Sequence, residues 1–370
     1  MSHELIALTA GGTGGHVFPA EALAAELLSR GYELVLITDK RGSAYGGTLG
    51  QITTHHISAG GIAGRGVGAR VRSLVELGAG FIQARSLLAR LRPSAVVGFG
   101  GYASVPAMLA ASTLGIPNAL HEQNAVLGRA NRLLAPRTNR IATCYAEVSH
   151  LPPAWQKKVV QTGMPVRPQM VAMRERAYPD LTDTSPLRLL VLGGSQGARI
   201  LSEVVPAALA RLPEALRHRI EISQQCRPED LDEVRATYQD TGVKTDLQSF
   251  FHDVPERMAA AHLVIARSGA STVGELTVLG RPSILVPYPH AIDDHQTANA
   301  HAVDEAGGGW LIPQPAFTAE SLAARLESLF SLPGSLTRAA ACAYATGVPD
   351  AAKRLADLVT SLSPVSEVTP

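Results

Sequence analysis

Residues 5–16 read LIALTAGGTGGH, and residues 187–198 read LRLLVLGGSQGA. Each is an apolar run that ends in a glycine-rich turn. After the first, residues 19–30 read as a helix, with Pro19 in its first turn and Gly31 just past its end. After the second, residues 198–212 read as another. A strand that is apolar along its whole length is buried on both faces, as in a parallel sheet covered by helices. Runs of the same kind recur at 34–37, 95–97, 263–265 and 284–286. The fold class predicted is therefore α/β, with two Rossmann-like, doubly wound domains facing a cleft. Residues 168–186, rich in proline, charge and threonine, read as a linker. The expected domains are 1–165 and 166–348, with helix-like residues 349–362 after them and a disordered tail beyond.

Composition narrows the function. The 370 residues exceed a usual domain of roughly 100–200 residues. Hydrophobic residues make up 46% and charged residues 18%, which suits a globular protein with real cores. A net charge of +1 argues against a nucleic-acid footprint over the whole surface. The three cysteines, Cys144, Cys226 and Cys342, are scattered and form no C-x-x-C pair, which fits a reducing compartment. No secretory signal is legible, and no uncharged apolar stretch reaches the roughly 18 residues of a membrane span. The chain is expected in the cytoplasm.

Four glycine loops stand where strands should meet helices: GGTGGH at 11–16, GFGGYAS at 98–104, GGSQGA at 193–198 and SGAST at 268–272. Exposed amides and a following helix N-terminus make such loops phosphate sites, although glycine also serves plain turns. Three other readings compete. A dinucleotide fingerprint begins at Gly12-Thr13-Gly14, but its third glycine position is Val17. Gly193-Gly194-Ser195-Gln196-Gly197 fits the nucleophile turn of a hydrolase, yet gives the matching loop of the first half no role. Metal ligation finds no familiar spacing: His55-His56 are adjacent, and His121-Glu122 lacks the second histidine of H-E-x-x-H. No metal and no cofactor are expected.

Polar clusters occur where apolar residues would be the default. His121-Glu122-Gln123-Asn124 follows a strand-like run and suits a sugar or peptide site, or a helix cap. His16 follows the first glycine turn. A histidine there can take a proton near neutral pH, or simply hold a phosphate. Glu275 stands one turn after Ser271 and Thr272, where it can accept ribose hydroxyls or favour a helix start. Asp293-Asp294-His295-Gln296, with Asn299, opens another helix with a dense polar edge.

In order, GGTGGHVFPA at 11–20, GGYAS at 100–104, HEQN at 121–124, GGSQGAR at 193–199 and RSGAST with Glu275 resemble the MurG family. These are the UDP-N-acetylglucosamine–N-acetylmuramyl-(pentapeptide) pyrophosphoryl-undecaprenol N-acetylglucosamine transferases. The resemblance runs from Leu5 to about Leu362. It implies the GT-B fold, with the last helix returning to the first domain. It also implies a metal-free, inverting hexosyl transfer from UDP-GlcNAc to the C4 hydroxyl of the muramyl sugar of lipid I, giving lipid II in peptidoglycan synthesis. The second domain would hold the donor. Ser195 and Gln196 in the 193–198 loop would meet the diphosphate, and the backbone of Phe251 the uracil. Ala270, Ser271 and Thr272 would hold phosphate, Glu275 the ribose, and Gln296, with His295 beside it, the GlcNAc. Arg167, in Gly163-Met164-Pro165-Val166-Arg167, would steady the leaving diphosphate. Thr13, Gly14, Gly15, Tyr102 and Asn124 would face the acceptor, with His16 as general base and Glu122 as its rival. Two departures stand out: Met164 replaces the family's usual asparagine, and Asp294 occupies a position often Asn or Arg.

A lipid acceptor implies a peripheral place on the cytoplasmic face of the cell membrane, near other cell-wall or division proteins. Arg65, Arg70, Arg72, Arg85, Arg90 and Arg92 are interleaved with Leu74, Leu77, Phe81 and Leu87-Leu88. That pattern suits anionic lipid, and equally an ordinary amphipathic helix. A UDP-GlcNAc 2-epimerase, a small-molecule glycosyltransferase and a non-catalytic sugar-nucleotide sensor remain alternatives on sequence alone.

Overall fold

A computed structural model describes residues 4–11, 14–39, 47–59, 67–182, 184–194 and 197–362, without the side chains of 67–72 and 333. The chain forms two compact units, one of residues 1–167 and 350–370, the other of residues 168–349.

The first unit alternates strands and helices: β1 Leu5–Thr9, α1 Gly14–Ser29, β2 Glu33–Thr38, β3 Thr53–His56, α2 Val67–Leu91, β4 Ala95–Gly98, α3 Val105–Thr113, β5 Asn118–Glu122, α4 Arg129–Leu134, β6 Arg140–Thr143 and β7 Val159–Gln161. The strands pair in parallel in the order β3-β2-β1-β4-β5-β6-β7. Alternation along β1 builds two cores at once. Ile6 and Leu8 join Leu23 and Leu27 of α1 on one face, and Ala7 joins Leu88 of α2 and Met108 of α3 on the other.

The helix predicted at 19–30 begins earlier, at Gly14, which puts Pro19 inside it. Proline there removes the single N–H that would reach the carbonyl of Gly15. Residues 14–18 therefore supply the first turn and carry His16. Leu87 and Leu88, read as part of a lipid-facing patch, are core residues. Among the described side chains, Leu74, Val75 and Ile82 are the large apolar residues that α2 exposes.

The second unit holds α5 Pro168–Ala172, β8 Leu187–Leu192, α6 Arg199–Leu209, α7 Glu214–Arg217, β9 Ile220–Gln225, α8 Leu231–Tyr238, β10 Lys244–Gln248, α9 Val254–Ala260, β11 Leu263–Ala266, α10 Ala270–Leu279, β12 Ser283–Leu285, α11 His295–Glu305, β13 Gly309–Leu311, α12 Ala319–Ser331 and α13 Pro333–Thr346. Its parallel order is β10-β9-β8-β11-β12-β13. Leu201 and Val205 of α6 and Leu322 and Leu326 of α12 build its core against β8 and β9.

Residues 168–186 are not a free linker. Tyr178 and Leu181 pack on this core, and the Tyr178 hydroxyl donates to the His262 carbonyl at 2.7 Å. Arg174 donates to the carbonyls of Val278 and Tyr344 and lies 3.5 Å from the Tyr344 ring centre. Proline and charge in this stretch hide a few residues that anchor it.

The last helix, α14 Ala351–Thr360, belongs to the first unit. Leu355 and Val359 are fully buried in the α1 core, each worth about 1.5–3 kcal/mol. Arg30, just past the end of α1, pairs with Asp357 at 2.6 Å.

Candidate functional site

Each sheet reverses its strand order once, at β1/β4 in the first unit and at β8/β11 in the second. Ligands of open α/β sheets bind beyond the strand C-termini at such points. The glycine loops follow these strands.

In the first unit the loops after β1, β4 and β5 press together. A β-carbon at Gly11 would stand 2.6 Å from the Ala103 β-carbon. The His16 imidazole lies on the backbone of Gly100 and Gly101, 3.4 and 3.5 Å from where their β-carbons would be. Both glycines have φ near +80°, +83° and +72°, so a side chain there would be strained as well as crowded. Tyr102 is half-buried on this loop.

Glu122 ends β5 and is 1% exposed. Its Oε1 accepts from the Asn124 amide at 3.0 Å and from Asn124 Nδ2 at 3.2 Å. Its Oε2 accepts from the Gly128 amide and from Asn131 Nδ2, both at 2.8 Å. Four donors thus fill one carboxylate and fix the chain from 124 to 131 around it. Asn131 was not foreseen. Its signal is an asparagine on the buried side of the short helix α4, nine residues after Glu122.

Behind this edge His121 is fully buried. Gln123 Nε2 donates to the Phe99 carbonyl at 2.8 Å and lies 3.2 Å from His121 Nδ1. His121 Nε2 faces the Gly163 carbonyl at 3.4 Å, so the network assigns the proton to Nε2. Burial pulls the His121 pKa down to about 4, which leaves the ring neutral at pH 7. Burial likewise pushes the Cys144 thiol up, and Glu122 adds to the effect. Cys144 lies 3.6 Å from the sulfur of Met164, so the methionine departure is absorbed by a sulfur neighbour. Arg167 stacks over the Phe18 ring of α1 at 5.3 Å.

The second edge is crowded at Gly193 and Gly197 but not at its other two loop glycines. No described residue lies within 4 Å of where a β-carbon at Gly194 or Gly269 would stand. Gly269 caps α10, Ala270 is its first residue, and Ser271 and Thr272 follow. The Ser271 hydroxyl is buried and meets no hydrogen-bond partner among the described residues. Unfilled amides and a hydroxyl at a helix start present donors to an anion. Glu275 lies one turn on, 5% exposed.

The loop before α10 is tied to α11. The Ser268 hydroxyl donates to the Gln296 carbonyl at 2.7 Å, and Asn299 Nδ2 donates to the Ser268 carbonyl at 3.1 Å. Gln296 Oε1 accepts from the Tyr288 amide at 2.9 Å. Arg267, also unforeseen, donates to the carbonyls of Val286 and Pro287 and to Gln314. Before α11, Asp293 and Asp294 are both left-handed, with φ of 52°. Such strain costs about 1–3 kcal/mol per residue and persists where the surroundings enforce it. Asp294 Oδ1 accepts from the Thr297 hydroxyl at 2.7 Å, which ties the second departure to the first turn of α11. Phe251 is 2% exposed beneath the Arg257 guanidinium, so its backbone is what it offers.

Gly14 and Gly15 open α1 beside these first-unit residues. Thr13, Ser195 and Gln196 lie outside the described residues, as do Arg65 and the side chains of Arg70 and Arg72. The hydrolase reading of Ser195 therefore has no geometry here.

Comparison with known proteins places this architecture among relatives. The glycosyltransferase family 28 N-terminal domain matches residues 6–143, and the family 28 C-terminal domain matches residues 188–355. The UDP-N-acetylglucosamine–N-acetylmuramyl-(pentapeptide) pyrophosphoryl-undecaprenol N-acetylglucosamine transferase of Paramagnetospirillum magneticum is 68% identical over 97% of both chains. The protein of the same name from Rhodospirillum rubrum is 60% identical over 96% of this chain and 91% of its own. Among solved structures, Acinetobacter baumannii MurG superposes with a TM-score of 0.78 at 28% identity, covering 97% of this chain and 99% of that one.

Proposed function

The chain belongs to glycosyltransferase family 28, and we propose that it carries N-acetylglucosamine from UDP-GlcNAc to the C4 hydroxyl of the muramyl sugar in lipid I. The products are UDP and the β-1,4-linked disaccharide of lipid II, a step of peptidoglycan synthesis. The fold is GT-B, as in its structural relative. One contrast supports the reading best. The first unit's edge carries an imidazole and a carboxylate that already accepts four hydrogen bonds, and the second carries a helix start whose Ser271 hydroxyl has no described partner.

In this reading the second unit holds the donor. Amides at the starts of α6 and α10, with Ser195, Gln196, Ala270, Ser271 and Thr272, take the diphosphate. The Phe251 backbone takes the uracil, Glu275 the ribose and Gln296 the GlcNAc. Negative charge grows on the diphosphate as the glycosidic bond breaks. Helix N-termini stabilise it without reorganising, and Arg167 is the proposed cation for it.

His16 is the general base, worth about 10²–10⁴-fold, and draws the proton from the attacking hydroxyl. Glu122 serves it by positioning: a carboxylate that already accepts four hydrogen bonds is a poor place for a fifth proton donor. Thr13, Gly14, Gly15, Tyr102 and Asn124 border the acceptor.

No described helix is long and apolar enough to cross a membrane. Leu74, Val75 and Ile82 are 66%, 66% and 69% exposed and share one face of α2 with exposed Arg85. That face is the proposed contact with the cytoplasmic leaflet, at about 1 kcal/mol per basic residue. Flotation with anionic vesicles should weaken in Ile82→Asp/Arg85→Glu; unchanged flotation removes this face from the account.

The test of the reaction is UDP release from UDP-GlcNAc, with and without a short-chain lipid I analogue. Release that requires the analogue supports the transfer. Equal release in both conditions, or none despite donor binding, overturns it.

A further inference from the structure

Arg227 follows the end of β9, where the Cys226 amide still bonds the Gln248 carbonyl at 2.9 Å. Its side chain lies against Gly197. A β-carbon at Gly197 would fall on Arg227 Cγ and stand 3.3 Å from Cδ. The Gly197 amide closes this turn on the Gly194 carbonyl at 3.0 Å. The methylenes of Arg227 therefore brace the outside of the turn that opens α6.

The guanidinium is committed elsewhere. Nε donates to Asp230 Oδ2 at 2.8 Å and Nη2 to Oδ1 at 2.6 Å, a bidentate fork. Nη1 lies 3.0 Å from Glu229 Oε1. The local turn helps hold the fork, since the Asp230 amide donates to the Arg227 carbonyl at 3.0 Å. The Arg227 side chain is only 26% exposed, and that of Asp230 12%. Without the arginine, Glu229 and Asp230 would lose their nearest cation, with Ser202 and the more distant Arg199 still acting on Asp230.

We propose that Arg227 is a positioning residue for the donor diphosphate. Its stem holds the Gly197 turn so that the amides at the start of α6 keep one orientation. Its guanidinium cancels Asp230 and Glu229, whose charge would repel an anion in that loop. The inference rests on the reading of the 193–198 loop as the diphosphate contact. A residue that merely stapled β9 to α8 would affect folding alike with any ligand.

The experiment titrates the full-length protein with UDP and with uridine, and measures donor KM and kcat with a saturating acceptor analogue. Arg227→Ala should bind UDP about tenfold more weakly, the scale of one lost hydrogen bond to a charged group. Uridine affinity should not change. Donor KM should rise by the same factor while kcat stays within about twofold. Arg227→Lys, which keeps stem and charge, should recover most of the loss. Adding Asp230→Asn to Arg227→Ala should recover part of it, because the charge that lost its nearest cation is gone. If Arg227→Ala folds and binds UDP like wild type, or loses UDP and uridine equally, the inference is overturned. Glu275→Gln separates the two layers. If it leaves UDP binding intact, the donor reading itself fails; if it weakens UDP binding while the Arg227 variants do not, only the Arg227 inference fails.

Discussion

The two units answer the same sequence pattern with opposite surroundings. In the first, glycines let protein approach protein: Gly11 meets Ala103, and Gly100 and Gly101 carry the His16 ring. Beside them the Glu122 carboxylate already accepts four hydrogen bonds. In the second, Gly197 also meets protein, at Arg227, but no described residue comes within 4 Å of a β-carbon at Gly194 or Gly269, and the Ser271 hydroxyl has no described partner. A closed edge orients a reacting group, whereas an open edge of amides waits for an anion. A GG-x-x-G string therefore states where a strand meets a helix, not what the turn is for.

The contrast can be broken in four places. The largest effect is expected at His16, where His16→Ala should lower kcat about 10²–10⁴-fold in steady-state assays. A change in donor KM alone would move His16 into substrate binding. Next comes pH. Folded His121 titrates near 4, below its ordinary 6.5, so between those values the unfolded chain holds a proton that the folded chain does not. Stability is therefore complete above about pH 6.5 and falls by roughly 3 kcal/mol as pH drops to 4. Denaturant titrations across that window should show the slope, and His121→Gln should flatten it.

Glu122→Gln should cost about 2 kcal/mol of stability, because an amide cannot accept all four donors. Calorimetric unfolding reads this; an unshifted transition with lost activity would restore Glu122 as a candidate base. Ser271→Ala should be the mildest. Unfolding should stay within about 0.5 kcal/mol of wild type, as its hydroxyl bonds nothing described, while UDP affinity falls about fivefold. A stability loss instead would mean the second edge is as closed as the first.

Much of this fold is legible in the chain because parallel strands buried on both faces are apolar throughout, as 5–8 and 263–265 are. The ends are harder. Pro19 suggests a helix start, yet five residues before it already wind, because a single missing N–H does not stop a helix near its beginning. Residues 168–186 read as linker by composition, but Tyr178 and Arg174 fasten them by long-range contacts that no local pattern carries. Leu87 and Leu88 look like patch residues until α2 is laid on its sheet. At the site, His16 and Glu122 stand out as polar residues in apolar settings. Asn131, which bonds Glu122, and Arg267, which ties three second-unit segments together, do not, because their roles appear only once the chain is folded.

The central claim is that the first unit carries the chemistry and the second the donor. Calorimetric titration of UDP-GlcNAc into wild type, His16→Ala and Glu275→Gln tests it most directly. The account predicts wild-type affinity for His16→Ala and a loss of about tenfold or more for Glu275→Gln. Donor binding that is lost in His16→Ala and kept in Glu275→Gln would contradict it.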